Sequence, residues 1–191
     1  MTKPEEIKQE DLVKTILSAA KGKITGRIRM QKIVYFLEQL GMGGEFRFSY
    51  HHYGPYSEEL SSAIDMAKML DKTVQEKEFP IEGGFYSVFT LNPSDECAPA
   101  TLGSLPWSRA QECISAMKAE TSVVIELAAT IHWLWEKEHV HDGWRKELKI
   151  RKPSKADDAR IDKALVLLRT LNPDWQRSEG VPVQRIEAIG N

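Results

Sequence analysis

The fold is decided by residues 26–60, which open with Gly26-Arg27-Ile28-Arg29-Met30-Gln31-Lys32-Ile33-Val34-Tyr35-Phe36-Leu37-Glu38-Gln39-Leu40-Gly41. A short aromatic segment follows, and then His51-His52-Tyr53-Gly54-Pro55-Tyr56-Ser57-Glu58-Glu59-Leu60. In the first part the apolar residues Met30, Ile33, Val34, Leu37 and Leu40 recur at the spacing of one helix face. Arg27, Arg29, Lys32 and Glu38 fall mostly on the opposite side, and Gly41 is a stop signal. Glu45 to Tyr50 alternates polar and aromatic residues, which predicts a short strand. Pro55 fixes its own φ and disfavours helix at Gly54, so a turn stands there. Ser57 is a good N-cap, and Glu58 and Glu59 sit where the positive end of a helix favours anions. A further helix therefore runs from Ser57 through Leu60 and Ile64 toward Leu70.

Upstream, Leu12, Val13, Ile16, Leu17 and Ala20 mark a first helix ending near Lys21-Gly22, and Thr25 is a candidate cap for the next. Downstream, residues 73–79 and 85–91 read as two strands joined by a turn that bears Gly83 and Gly84. Three helices and a hairpin are the order of a winged helix-turn-helix. Residues 92–106 hold Pro93, Pro99, Gly103 and Pro106 and read as a linker. Helices are predicted over 108–120, 121–137 and 156–171, with a short helix or turn at 144–150 and Ser154 capping the last helix. The expected fold class is mainly α (α+β). A winged helix-turn-helix-like unit with a small β-hairpin spans 9–92, a helical unit spans 107–171, and an extended tail spans 172–191.

With 191 residues, 41% of them hydrophobic and 28% charged, the chain has the size and composition of one soluble domain, or a small domain with an extension. A net charge of −2 gives no global attraction to nucleic acid or anionic membrane. The N-terminal residues lack an apolar signal segment, and no apolar run approaches the about 20 residues needed to span a bilayer, so a cytoplasmic protein is expected. Cys97 and Cys113 read as free thiols in a reducing compartment.

Gly26 to Leu37, followed by Tyr53-Gly54-Pro55-Tyr56-Ser57, resembles the bacterial YwgA-like family and is more distantly similar to Panacea domains, antitoxin-like modules of the SocA type. The segment Ile125-Glu126-Leu127-Ala128-Ala129-Thr130-Ile131 and the stretch from Glu147 to Leu171 also look YwgA-like, so the resemblance covers most of residues 10–171. It implies a winged-helix-like, α-rich fold and no particular activity. Panacea modules bind and neutralise toxin proteins, and members of both groups lie beside defence genes. The resemblance therefore implies a partner protein, encoded nearby in a prokaryotic defence or toxin–antitoxin setting.

Gln31, Lys32 and Tyr35 have two readings. They form a polar contact surface, or Gln31 and Lys32 satisfy backbone groups of the Tyr-Gly-Pro turn while Tyr35 packs the core. The second is favoured. His51 and His52 beside Tyr53 and Tyr56 lack an evident carboxylate or nucleophile, and no catalytic residue is assigned. His132 and Glu136 share a helix face, but with His139 and His141 they lack a compact zinc spacing, so neither metal nor cofactor is expected.

Two basic clusters are candidates for phosphate contacts. One is Lys21, Lys23, Arg27, Arg29 and Lys32; the other is Arg145, Lys146, Lys149, Arg151 and Lys152, with Lys155 beyond. A groove-reading helix carries cations or amides at its N-terminal end, whereas here that end is Ser57-Glu58-Glu59 and the hairpin is also net acidic. A non-enzymatic protein-interaction module is therefore the leading expectation. Its contact residues are Tyr53, Tyr56, Glu58, Glu59 and Trp144; the apolar helix over 122–135 and the five tryptophans offer further interface material, although most of these residues are expected in the core. A DNA-binding regulator using the basic clusters is the alternative.

Overall fold

The computed structural model describes residues 8–92 and 98–175. In chain order its elements are α1 (Gln9–Ala19), β1 (Lys23–Thr25), α2 (Arg27–Gln39), β2 (Ser49–His51), β3 (Gly54–Tyr56), α3 (Glu58–Leu70), β4 (Val74–Ile81) and β5 (Gly84–Leu91). After these come β6 (Thr101–Leu102), β7 (Leu105–Pro106), α4 (Trp107–Ala119), α5 (Ser122–Glu136), α6 (Trp144–Arg151) and α7 (Asp158–Leu171). The protein is mixed α/β and mainly helical. Its largest sheet has the order β1-β5-β4, all antiparallel, with Ile24 opposite Phe89 and Lys77 opposite Val88.

α2 is central. Every residue from Met30 to Leu37 is buried, Gln31 and Lys32 included, so Lys32 is corrected as part of the outer face, whereas Arg27, Arg29 and Glu38 remain at least partly exposed. α5 is buried almost throughout and packs on α2, β3, α6 and α7. It is a second core helix, as expected for most of its residues, and its apolar stripe is covered by its neighbours. One cluster of buried side chains runs from Leu12 on α1 to Leu171 on α7, so both predicted segments feed the same core. Tyr35 is fully buried and its hydroxyl shares a 2.8 Å hydrogen bond with His132 Nδ1.

Several boundaries differ from expectation, each for a local reason. Glu45 to Phe48 is not strand: the Arg47 amide donates to the Glu59 carboxylate at 2.7 Å, which leaves no ladder there. Thr25 belongs to β1, and Gly26, at φ 97°, holds the N-cap of α2 without a side-chain bond. Pro80 is not in the turn but in β4, opposite Phe85, which an edge strand tolerates. The predicted linker contains the β6–β7 hairpin; Pro93 and Cys97 lie outside the described residues. α7 is capped by Asp157, whose side chain accepts from the Arg160 amide, and not by Ser154. The tail is not wholly extended: Trp175 stacks on Phe36 at 5.8 Å and meets His132 edge-on at 4.3 Å. Residues 176–191 lie outside the described residues.

Ser57 caps α3 as expected, accepting from the Leu60 amide at 3.1 Å. Gly54 lies at φ +83°, and a Cβ there would meet Thr130 Oγ1 on α5 at 3.1 Å. Gly54→Val is therefore expected to lower unfolding free energy by about 1–3 kcal/mol, with a smaller loss for Gly54→Ala. Urea titrations of both variants measure this, and unchanged midpoints would contradict it.

Candidate functional site

The turn between β2 and β3 is held by side chains that arrive from distant parts of the chain. The Gln31 amide clamps Ser57 at both ends, with Nε2 donating to the carbonyl at 3.0 Å and Oε1 accepting from the amide at 2.9 Å. Lys32 Nζ donates to the Pro55 carbonyl at 2.5 Å. Lys152, just past α6, donates to the His52 carbonyl. The backbone-satisfying reading of Gln31 and Lys32 is thus the one observed.

Behind the turn stands Glu126 of α5. Its carboxylate meets Lys152 at 2.8 Å and Lys155 at 2.8 Å. Lys155 also lies 5.1 Å from the centre of the Tyr53 ring. Lys32, Glu126 and Lys152 are 1%, 2% and 4% exposed. Burial lowers the Lys32 ammonium to about 7; Glu126 opposes that fall, and Lys152 and Lys155 add to it. Two lysines pair with one carboxylate and a third stands within its field, which leaves a local excess of positive charge in a poorly solvated place.

Beside this cluster opens a cleft of about 230 Å³. Its walls are mostly apolar, with Ile28, Ile64 and Phe89 inside, Tyr53 and Tyr56 at the rim, and Lys32 among the lining. Tyr53 is half exposed. The Tyr56 hydroxyl bonds Ser61 Oγ at 2.8 Å, and its ring lies 5.0 Å from that of His51.

The other predicted contact residues are more scattered. Glu58 is exposed at the start of α3, whereas Glu59 is tied to Arg47. Trp144 is corrected as a surface anchor: it is 8% exposed and packs edge-on against Trp135 at 5.4 Å, completing the core under α6. Sequence reasoning missed the hairpin tip, where Phe79, Ile81, Phe85 and Tyr86 are 41%, 54%, 70% and 38% exposed. The Phe79 and Tyr86 rings stack across the two strands at 5.4 Å. Four apolar residues around a two-residue turn were the available signal.

The basic clusters divide. Lys32 and Lys152 are buried and bonded inside, out of reach of a nucleic-acid backbone, so they are corrected as phosphate contacts; Lys32 borders only the narrow cleft. In the second cluster Arg145 faces Asp162 at 3.9 Å, Lys149 faces Asp158 at 2.8 Å, and Arg151 holds Glu138 at 2.6 Å and Glu147 at 2.8 Å. Lys146 is exposed. In the first cluster Arg27 pairs with Glu76 at 2.7 Å, and Arg29 donates to the Glu120 carbonyl at 2.7 Å. Lys21 and Lys23 are exposed and are joined by Lys118, whose pKa is lowered by burial and then by Lys21, Arg29 and Lys23. Among the described residues no group of three or more His, Cys, Asp or Glu side chains is placed to hold a metal. Among them, too, no helix is long and apolar enough to cross a membrane.

The class that fold and site define is a mainly helical α/β protein with a lysine-anchored turn beside a small apolar cleft. No family model matches the chain. It is 26% identical over 152 residues to the Bacillus subtilis (strain 168) protein YwgA, described as uncharacterized, covering 78% of this chain and 89% of that one. It is also 28% identical over 147 residues to a DNA ADP-ribosyl glycohydrolase of Thermus aquaticus (strain ATCC BAA-2747 / Y51MC23), covering 73% of this chain but only 39% of that protein's length.

Two pH windows follow from the buried bases. Lys32 has a folded pKa near 7 against 10.5, so the unfolded chain binds more protons between those values. Stability contributed at this site therefore rises with pH across that window. Wild-type unfolding free energy is expected to climb relative to Lys32→Met from pH 7 toward 10, and parallel curves would contradict it. His132 is lowered by burial to about 3 from 6.5, so between those values the folded ring stays neutral while the unfolded chain takes up a proton, and stability falls as pH falls through that range. Replacing it with phenylalanine should flatten the acid limb. Glu126→Gln leaves Lys152 and Lys155 without their carboxylate and is expected to cost about 3–5 kcal/mol.

Proposed function

We propose that the chain is a non-enzymatic module that binds a partner protein, with the β4–β5 hairpin tip and the neighbourhood of Tyr53, Tyr56 and Glu58 as its contact surface. The observation that carries this is the exposed tip, Phe79, Ile81, Phe85 and Tyr86. A soluble chain rarely leaves such a cluster uncovered without a use for it. The order α1-β1-α2-β2-β3-α3-β4-β5, with β1 on β5 and the short β2–β3 turn between the second and third helices, supports reading this part as a winged helix with the β4–β5 hairpin as its wing. On that reading the solvent face of α3 bears Glu58, Asp65, Met66 and Met69, which suit a protein surface better than a phosphate backbone.

A match to 89% of YwgA and 39% of a longer DNA ADP-ribosyl glycohydrolase fits a unit that stands nearly alone in one protein and forms part of another. The defence or toxin–antitoxin setting and the Panacea likeness belong to the same proposal. Glycohydrolase activity is attributed to the relative and is not part of this reading.

The test uses a partner captured from the native host and then purified. Ile81→Ser with Phe85→Ser should raise its off-rate at least about tenfold without moving the melting temperature. Glu58→Lys should slow association and change its salt dependence. Unchanged kinetics for the tip variant would refute the assignment. The second reading, a DNA-binding regulator, is favoured by the convergence of Lys21, Lys23, Arg29 and Lys118. It predicts sub-micromolar, sequence-selective duplex binding that survives physiological salt. The protein-binding reading predicts only weak, salt-sensitive binding.

A further inference from the structure

Resting on the protein-binding reading, we propose that the cleft beside the turn captures the C-terminal residue of the partner, its apolar side chain between Ile28, Ile64 and Phe89 and its terminal carboxylate on Lys32. Size argues first. A cleft of about 230 Å³ is below the range of pockets that enclose drug-sized ligands, and it suits one inserted residue. Chemistry argues second. The walls are apolar with tyrosines at the rim, so the occupant carries an apolar body, whereas an internal aspartate or glutamate has almost none. In a protein, an apolar body and a carboxylate on one residue occur together at the C-terminus.

Charge argues third. The polar groups around the cleft are largely committed: Gln31 to Ser57 and Ser61, Tyr56 to Ser61, and Arg27 to Glu76. Lys32 gives one of its three N–H groups to Pro55 and lies near Glu126, which already answers Lys152 and Lys155. An arriving carboxylate would offset the surplus that these lysines create. The charged and titratable groups around Lys32 are Glu126 on α5, Lys152 and Lys155 beyond α6, Tyr53 on the turn and Arg27 on α2. With Lys32 held near neutrality, binding above that pH draws a proton onto its amine.

The probe is N-acetyl-phenylalanine, compared with N-acetyl-phenylalanine amide and with N-acetyl-glutamic acid amide, titrated into the full chain alone. The expected result is amide-resonance shifts around Ile28, Lys32 and Tyr53 with the acid, and at least about tenfold weaker binding for the other two compounds. Calorimetry at pH 8 in two buffers of different ionisation heat should show net proton uptake. Lys32→Met should abolish binding, with circular dichroism checking its fold. Ile28→Trp, which fills the cleft from a partly exposed position, carries the same test if Lys32→Met does not fold. The proposal is overturned if acid and amide bind equally, if the glutamate compound binds best, if nothing binds at millimolar concentration, or if Ile28→Trp binds like wild type. No probe binding together with partner kinetics sensitive to the hairpin tip would remove this inference and leave the protein-binding reading standing. Probe binding with a partner insensitive to the tip and to Glu58 would keep the cleft assignment and remove the hairpin tip and Glu58 from the contact surface.

Discussion

The bond from the Lys32 ammonium to the Pro55 carbonyl, backed by the Glu126 carboxylate, is the constraint on which the rest of the structure depends. It ties α2 to the turn, with α5 packed behind both. The turn cannot hold itself there: its short strands pair over three residues each, and an isolated pair of that length is marginal in water. Cations reaching its carbonyls from two directions, Lys32 from α2 and Lys152 from beyond α6, supply what the ladder does not. Gly54 is required because its backbone takes a left-handed φ against Thr130, where a Cβ has no comfortable room.

Burying charge is costly unless it is paired and hydrogen-bonded. Glu126 answers two lysines directly, and Lys32 lowers its own charge by giving up affinity for its proton. The same core treats His132 similarly, keeping it neutral against Tyr35 and under Trp175. These groups fix how α2 and α5 face each other, since a purely apolar contact between two all-round buried helices would not by itself choose one rotation. The cleft is the part of this arrangement that opens to solvent.

The surface follows a different rule. Most cations near α6 are answered by acids from the neighbouring loop and α7, so a run that is basic in sequence is nearly balanced in space. The hairpin tip follows neither pattern: three aromatics, Phe79, Phe85 and Tyr86, gather there with Ile81, all exposed.

Local signals fixed the elements: the spacing of Met30, Ile33, Val34 and Leu37 gave α2, Ser57 gave the start of α3, and Pro55 with Gly54 gave the turn. Thr25 was misread as a cap because its backbone pairs with Val88 across the sheet, and Ser154 because the cap of α7 falls three residues later, at Asp157. The amphipathic reading of α2 failed at Gln31 and Lys32 because burial of a polar side chain depends on a distant acceptor, here Ser57 and Pro55. Trp144 went to the core and Phe85 to the surface, although both are large and apolar, because hydrophobicity does not say which side of an element another will cover. Sequence by itself determined the helices, the turn and the hairpin, since each is written in residues a few positions apart. Tertiary structure alone decided which lysines are buried, which acids answer them and where a cleft opens, because those are contacts between residues up to about a hundred positions apart.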